Sequence, residues 1–438
     1  MTSSKQFQEI KSGSVEWFGH IPPHWQIKKI SELFEERNEK VSDKDFEPLS
    51  VTKMGILPQL ENVAKTDNND NRKKVLKNDF VINSRSDRKG SCGVSNLDGS
   101  VSLICTVVKP RHDRVFMDYF HYLFRNSIFS EEFYRWGRGI VNDLWSTRWD
   151  EFKRILVPFP NFEEQKSIAH FLNDKTNGIE EIVLNKQNQI ESLQRYRLSL
   201  ITETVTRGLN PHVKMKHSGV ETIGDIPEHW NIKRLGHLGG LQNGISKSAD
   251  DFGFGHPFVS YGDVYRNMEL PKEVTGLVNS TRSERYIYSV RKCDVFFTRT
   301  SETIEEIGLT STCSETIENA TFAGFLIRFR PRSSDLIPNF SKFYFRSENH
   351  RSYFVKEMNI VTRASLSQDL LKKLPVLLPP AEEQQEIAEF LEAKCTEVDK
   401  LINEIKQFII QVEKYKNSLV YDAVTGKIDV RNDVEVKM

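Results

Sequence analysis

The chain has 438 residues and carries 61 basic and 61 acidic residues, so its formal net charge at pH 7 is zero. This length suits two to four domains and exceeds what one compact core usually serves. No apolar run reaches the roughly 20 residues that span a bilayer, and no signal-peptide stretch opens the chain, so we expect a cytoplasmic protein without membrane segments. The five cysteines are far apart and form no C-x-x-C pair, which predicts reduced thiols and no zinc site.

A motif near the start of the chain occurs a second time. GSVEWFGHIPPHW ends at Trp25, and its relative GVETIGDIPEHW ends at Trp230. The His-Trp pair could be a stacking platform, but in both copies it follows I-P-x, which favours a packed corner that leads into a domain. We therefore predict a conserved N-terminal segment at 1–25, and a linker with a repeat of that segment at 208–230.

Each copy of this motif is followed by a middle region of mixed pattern. Short β-rich runs such as SLICTVVKP and GFLIRFRP alternate with Gly, Asn and Asp turns, and one amphipathic helical stretch accompanies them. KNDFVIN beside RKCDVFF aligns Asp79 with Asp294. The regions are mildly basic and have diverged in sequence, so they predict two α+β domains, at 26–160 and 231–379, with different specificities on one scaffold.

A long helical pattern follows each domain. FPNFEEQKSIAHFL and PPAEEQQEIAEFL open helices predicted at 161–207 and 380–427, after prolines and with a glutamate pair that favours a helix N-terminus. Such a helix cannot be stable alone, so the two helices should pair, and the simplest closure is antiparallel. A C-terminal tail at 428–438 completes the chain. The predicted helix-pair interface consists of Ile168, Leu172, Ile179, Ile182, Leu193, Tyr196, Leu200, Ile387, Leu391, Val398, Leu401, Ile405, Phe408, Val412, Tyr415 and Leu419.

The predicted fold is therefore α+β. Two globular α+β domains are separated by two long antiparallel coiled-coil helices, and the whole chain is an internal repeat with pseudo-two-fold symmetry.

Motifs that would indicate catalysis are weak. FGFGH (252–256) imitates the cofactor loop of S-adenosylmethionine methyltransferases, but no N-P-P-Y or D-P-P-Y follows it, so a plain glycine-rich loop is favoured. Glu435-Val436-Lys437 imitates a nuclease motif but lies at the C-terminus, where chains fray. No G-x-x-x-x-G-K-[ST] loop is present. We predict no catalytic residue and no metal ligand.

The strings IGDIPEHW, EEQQEIAEFL, AVTGKI and TRGLNP resemble the conserved regions of the specificity subunits of type I restriction-modification systems, and the resemblance covers essentially the whole chain. It implies a non-catalytic subunit whose two domains are target recognition domains, each binding half of a split double-stranded DNA sequence. The helices would set the spacing and dock two methyltransferase subunits, through which restriction subunits join. S-adenosylmethionine, ATP and Mg²⁺ are then expected on those partners and no cofactor on this chain.

Candidate DNA contacts are chosen among arginine, lysine and asparagine in loops, because these side chains suit phosphates, guanine and adenine. The alternative for each is a solvated surface charge. The candidates are Arg72, Lys73, Lys74, Arg85, Arg88, Lys89, Arg138, Asn142 and Arg148 in the first domain, and Lys247, Arg266, Asn267, Arg282, Arg285, Arg299 and Arg363 in the second.

Two other functions stay open from the sequence. The chain could be a coiled-coil scaffold that binds only proteins, or it could serve a methylation-only or fused nuclease-methylase system.

Overall fold

The computed structural model describes residues 15–59, 70–139, 145–301, 307–357 and 364–431. The chain divides into two compact units, of which the first comprises 1–186 and 406–438 and the second comprises 187–405. Asn142, Arg363 and the tail motif at 435–437 lie outside the described residues.

The first unit contains the first domain. Its described strands are β1 (Gln26–Lys29), β2 (Phe34–Glu36), β3 (Lys40–Val41), β4 (Leu49–Thr52), β5 (Gly55–Pro58), β6 (Arg72–Val75), β7 (Phe80–Asn83), β8 (Cys92–Val94), β9 (Gly99–Val101), β10 (Cys105–Pro110) and β11 (Leu156–Phe159). Its helices are α1 (Ile30–Leu33), α2 (Met117–Arg125), α3 (Ser127–Arg135) and α4 (Trp149–Phe152), with a 3-10 turn at Ser86–Arg88.

A four-stranded sheet of order β2-β10-β7-β8 forms the centre of this domain, and its pairings are antiparallel. The ends of the domain meet because β1 pairs with β11, with Gln26 opposite Phe159. The amphipathic stretch predicted from MDYFHYLFRNS is α2, and it buries Tyr119, Phe120 and Phe124 in the core.

The second unit contains the second domain. Its described strands are β12 (Met215–His217), β13 (Asp225–Pro227), β14 (Asn231–Arg234), β15 (Gly239–Asn243), β16 (Phe252–Val259), β17 (Leu277–Val278), β18 (Val295–Thr298), β19 (Thr300–Ser301), β20 (Thr310–Thr312), β21 (Thr321–Phe322), β22 (Leu326–Pro331), β23 (Ala364–Ser365) and β24 (Pro375–Leu378). Its short helices are α6 (Leu235–Leu238), α7 (Tyr261–Arg266), α8 (Arg282–Ile287), α9 (Pro338–Tyr344), α10 (Glu348–Glu357) and α11 (Gln368–Lys373), with a 3-10 turn at Ala249–Asp251.

The second domain repeats the frame of the first. Its central sheet has the order β15-β22-β18-β20, which matches β2-β10-β7-β8 strand for strand, and β14 pairs with β24 as β1 pairs with β11. The additional strands differ between the domains. The predicted α+β class and the internal repeat are confirmed.

Two long helices complete the chain, α5 (Phe162–Arg207, 46 residues) and α12 (Ala381–Val424, 44 residues). Gly208 and Gly426 follow the helices, with φ of +75° and +72°, a backbone region that favours glycine. In the first unit, Glu180 pairs with Lys416 and Lys186 lies over the Phe408 ring. In the second unit, Arg197 pairs with Asp399. As the residue number increases along α5, the number of the contacting residue in α12 decreases. The helices therefore run antiparallel within each unit.

The predicted helix-pair residues differ in how far they are buried. Six are buried, namely Ile168, Leu172, Ile179, Ile387, Leu391 and Val398, and five are half-buried, namely Leu193, Leu200, Ile405, Val412 and Leu419. Five predicted positions are exposed, namely Ile182, Tyr196, Leu401, Phe408 and Tyr415, although Phe408 contacts Lys186 of the other helix. The structure buries others that the prediction omitted, including Ile201, Val205 and Ile402. An ideal helix drifts relative to a strict heptad, so the buried face moves away from positions spaced by sevens.

The His-Trp corners are packed, as predicted, and each receives the end of a long helix. In the first unit a Cβ at Gly426 would lie 2.4 Å from the Cδ atom of Pro22 and 3.1 Å from the Trp25 ring. In the second unit a Cβ at Gly208 would lie 3.3 Å from the ring of Trp230. The first copy of the corner thus packs on the end of α12, and the second copy packs on the end of α5.

The start of each long helix is fastened by a buried glutamine. Gln165 donates to the carbonyls of Pro160 and Arg114 at 3.0 Å and accepts from the Phe116 amide at 2.8 Å. Gln384 repeats this pattern with Pro379 (2.9 Å), Asp335 (2.8 Å) and the Ile337 amide (3.0 Å). Beside them, His24 bonds to Glu164 and His229 to Glu383, both at 2.8 Å. These contacts hold each domain at a fixed place on its helix.

We predict that Gln384→Ala lowers the free energy of unfolding by about 1 to 3 kcal/mol, because it leaves a buried amide and two carbonyls without a partner. Urea denaturation measures this loss. The control is Gln385→Ala, since Gln385 is exposed and bonds only to Glu389 one turn away. Equal stability of the two variants would contradict the role of Gln384.

Candidate nucleic-acid interface

The first domain contains a groove of about 630 Å³ beside its central sheet. The β4–β5 hairpin forms one wall, and the segment that follows β7 forms another. Among the described residues, four cations line this basic groove, Lys53, Arg72, Arg85 and Arg88, together with one carboxylate, Asp87. Polar side chains that can donate or accept hydrogen bonds accompany them, namely Ser50, Thr52, Gln59, Asn83, Ser91 and Ser102. This combination of charges and hydrogen-bonding groups suits phosphates and base edges.

Three of the predicted DNA contacts meet in the basic groove. Arg85 and Arg88 are exposed there, and Arg88 Nε lies 3.8 Å from the Asp87 carboxylate. Arg72 lies in the wall and is 7% exposed, with its Nε donating to Ser100 Oγ at 2.8 Å. Burial lowers the pKa of the Arg72 guanidinium. Arg85 and Arg88 are thus available to a ligand, whereas Arg72 is largely engaged within the domain.

The other described candidates of the first domain lie outside the groove lining. Most are in ion pairs: Lys73 with Glu36 (2.8 Å), Lys74 with Glu39 (2.9 Å), Lys89 with Glu131 (2.6 Å) and Arg138 with Glu151 (3.3 Å). Lys73 is 8% exposed, and Arg148 is exposed immediately before α4. The structure therefore gives Lys73 a structural role and does not bring all these residues onto one surface.

Candidates of the second domain are dispersed over several elements. Lys247 pairs with Glu284 at 2.8 Å, and this hydrogen bond raises the pKa of Lys247. Arg285 donates to the Ser280 carbonyl, and the Asn267 amide donates to the Asp263 carbonyl at 2.8 Å. Arg266 and Arg282 are exposed, and Arg299 is half-buried. The FGFGH string lies on the exposed part of β16.

One chain segment occupies the same place in both domains. After β7, the Ser84 carbonyl accepts from the Thr147 amide at 3.0 Å, and Arg85 bridges to Ser146. After β18, the Arg299 carbonyl accepts from the Leu366 amide at 2.7 Å, and Thr300 pairs with Ser365. The strands before these segments are equivalent. Ser84 is therefore equivalent to Arg299 and Arg85 to Thr300, so these positions carry different side chains in the two domains.

A buried aspartate fixes the turn before each of these strands. Asp79 is 2% exposed and accepts from Arg37 Nε at 2.6 Å, and Asp294 is fully buried and accepts from Arg330 Nε at 2.6 Å. The sequence alignment of Asp79 with Asp294 identified the pair of aspartates but not their arginines. It also missed Lys53 and Asn83 of the groove, although the short T-K-M-G stretch between β-rich runs is a hairpin signal that could have placed Lys53.

In the described part of the chain, no group of three His, Cys, Asp or Glu side chains could hold a metal ion. Within the same residues, no helix is long and apolar enough to cross a membrane.

The chain belongs to the family of the type I restriction modification DNA specificity domain, whose profile matches it twice, at residues 22–192 and 227–412. It is 24% identical to a Methanocaldococcus jannaschii protein described as the specificity subunit of type I restriction enzyme MjaX, over 97% of this chain and 99% of the relative. It is also 24% identical to the EcoKI specificity subunit of Escherichia coli K12, over 81% of this chain and 76% of that one.

The fold has a counterpart among solved structures. A chain from a structural study of complex assembly and conformational transition of the type I R-M system superposes with a TM-score of 0.69 at 17% identity, covering 93% of this chain and 99% of that one. At this identity the similarity establishes the shared fold.

We predict that Lys73→Ala lowers the free energy of unfolding by roughly 1 to 2 kcal/mol, because it leaves the partly buried Glu36 carboxylate without its ion-pair partner. Arg88→Ala is the matched control and should stay within about 0.5 kcal/mol of the parent, since its side chain is exposed. Chemical denaturation compares them. A larger loss for Arg88→Ala would contradict the assignment of Lys73 to the frame and Arg88 to the groove.

Proposed function

We propose that this chain is the DNA sequence-specificity subunit of a type I restriction-modification complex. The first domain binds one half of a bipartite, asymmetric sequence in double-stranded DNA, and the second domain binds a different half. The observation that carries this proposal is the frame that occurs in both domains and presents unlike residues at equivalent positions, Ser84 and Arg85 in the first domain and Arg299 and Thr300 in the second. A shared frame presents two surfaces in the same way, and different side chains give them different specificities.

The long helices are proposed to set the gap between the half-sites and to dock two methyltransferase subunits, through which restriction subunits join. Exposed apolar side chains on both helices support this role, because exposed apolar patches mark interaction surfaces. On the parts of α5 and α12 in the first unit they include Ile182, Leu184, Phe408, Ile410 and Tyr415, and on those in the second unit Tyr196 and Leu401.

The chain itself is proposed to be non-catalytic. The family to which it belongs is defined by DNA specificity. S-adenosylmethionine, ATP and Mg²⁺ would then be bound by the methyltransferase and restriction subunits. A protein that reads chromosomal and incoming DNA works in the cytoplasm, which is the location we propose.

Methylome sequencing of cells that express this chain with its methyltransferase partner tests the proposal. We expect a bipartite, non-palindromic motif with adenine methylated in each half. A continuous palindrome, or no adenine methylation despite an active partner, would refute it. A gel-shift measurement distinguishes this function from that of a scaffold that binds only proteins. Binding to DNA through its phosphates weakens strongly as the salt concentration rises, whereas a protein-only scaffold would not shift the DNA.

Shortening both helices by seven residues should reduce the gap between the half-sites by about three base pairs. Seven residues span about 10 Å of helix, and a base pair occupies about 3.4 Å. The deletions lie between Glu180 and Arg197 in α5 and between Asp399 and Lys416 in α12, so the ion-paired positions stay intact. Methylome sequencing of this variant measures the gap.

A matched control replaces the same seven-residue stretches by helical sequences of equal length. This variant should keep the parental gap. If the shortened variant methylates the original motif with its original gap, the helices do not set the spacing.

A further inference from the structure

The tip of the β4–β5 hairpin carries a highly exposed apolar side chain. Met54 is 81% exposed, more than any other large apolar residue of the described chain. It sits beside Lys53 in the turn between Thr52 and Gly55, and the hairpin borders the basic groove. An unbranched apolar side chain at the tip of this turn and at the edge of the groove gains free energy when it leaves water for an apolar surface.

Two hydrogen bonds within the turn and a close backbone approach to β8 hold the hairpin in place. Thr52 Oγ1 donates to the Gly55 carbonyl at 3.0 Å and accepts from the Met54 amide at 3.1 Å. Gly55 has φ of +121°, which favours glycine, and a Cβ at Gly93 of β8 would lie 3.2 Å from the Gly55 Cα. The turn therefore packs backbone to backbone on the central sheet.

Arg125, the last residue of α2, also binds the backbone of this turn. Arg125 Nη2 donates to the Lys53 carbonyl at 2.7 Å, and its Nη1 bonds to His121 Nε2 at 2.9 Å. The equivalent Arg346 of the second domain donates to the carbonyls of Val264 and Asn267, at 2.8 and 3.0 Å. In both domains, an arginine at or just after this helix thus fixes the backbone of a surface segment, and in the second domain that segment includes the predicted DNA contact Asn267.

The charges around Met54 indicate what it meets. In the described part of the groove lining, the cations Lys53, Arg85 and Arg88 stand against one carboxylate, Asp87. This excess of positive charge suits a phosphate backbone, and apolar side chains flanked by cations are the groups that proteins insert between base pairs to unstack a step.

We propose that Met54 is an apolar wedge that inserts at a base step of the first half-site, with Lys53, Arg85 and Arg88 holding the phosphates on either side. This inference rests on the proposed function, since it needs the first domain to bind DNA. It adds a mechanism of specificity. The domain favours sequences whose base step unstacks at a low cost in free energy, and this preference is independent of hydrogen bonds to base edges.

The test compares Met54→Ala with the parent chain, each assembled with its methyltransferase subunits. The probes are duplexes of the methylome-derived motif with 2-aminopurine at successive positions of the first half-site or, in a second set, of the second half-site, apart from the adenines to be methylated. The parent should raise 2-aminopurine fluorescence at one step. Met54→Ala should lose that rise and bind on the order of tenfold more weakly, with an unchanged signal at all positions of the second half-site.

The matched control is Leu97→Ala, which removes another exposed apolar side chain of the same domain, outside the groove lining. It should behave like the parent. If Met54→Ala keeps both the fluorescence rise and the affinity, the wedge is refuted. The wedge is also refuted if Met54→Ala weakens only the binding of methyltransferase subunits. If the parent complex binds no duplex selectively, the proposed function fails and the wedge fails with it.

Discussion

A single helix of more than forty residues has nothing to cover its apolar stripe, and this constraint governs the rest of the structure. The two long helices meet the constraint by running antiparallel within each unit. Each unit then needs the start of one helix and the end of the other. The corner at Trp25 packs against the residues after α12, and the corner at Trp230 packs against the residues after α5. Segments far apart in sequence are thereby joined, and the repeat in the sequence becomes a repeat in packing.

The repeated contacts separate the frame from the surface that varies. Gln165 and Gln384 fasten the helix starts, and Asp79 and Asp294 fasten the turn before the central strand, each with an arginine. Because these groups are buried and fully hydrogen-bonded, a change in any of them costs stability. The segments they support face solvent and have no such restriction. The sequences of the two domains can therefore diverge in the segments that contact a ligand, but not in the buried contacts that hold the domains in place.

The sequence predicted the frame because its signals are local. Prolines and glutamate pairs mark the helix starts, the period of apolar residues marks the helices, and duplicated strings mark the corners. Individual side-chain roles were harder to predict. Arg72 and Lys73 share a basic run, but Ser100 and Glu36, which engage them, are distant in sequence, so the burial of this run was not visible. Ile182 and Phe408 fit a heptad but lie outside the buried face, since a strict seven-residue spacing drifts around a straight helix.

The central claim is that the repeated frame is common to both halves and that the domains alone decide which sequence each half reads. A chain in which residues 231–379 are replaced by a second copy of residues 26–160 tests it most directly. Methylome sequencing of cells expressing this chimera with its methyltransferase should give a symmetric bipartite motif, in which both halves equal the first half-site in opposite orientation. Two unlike half-sites, or the parental motif, would contradict the claim.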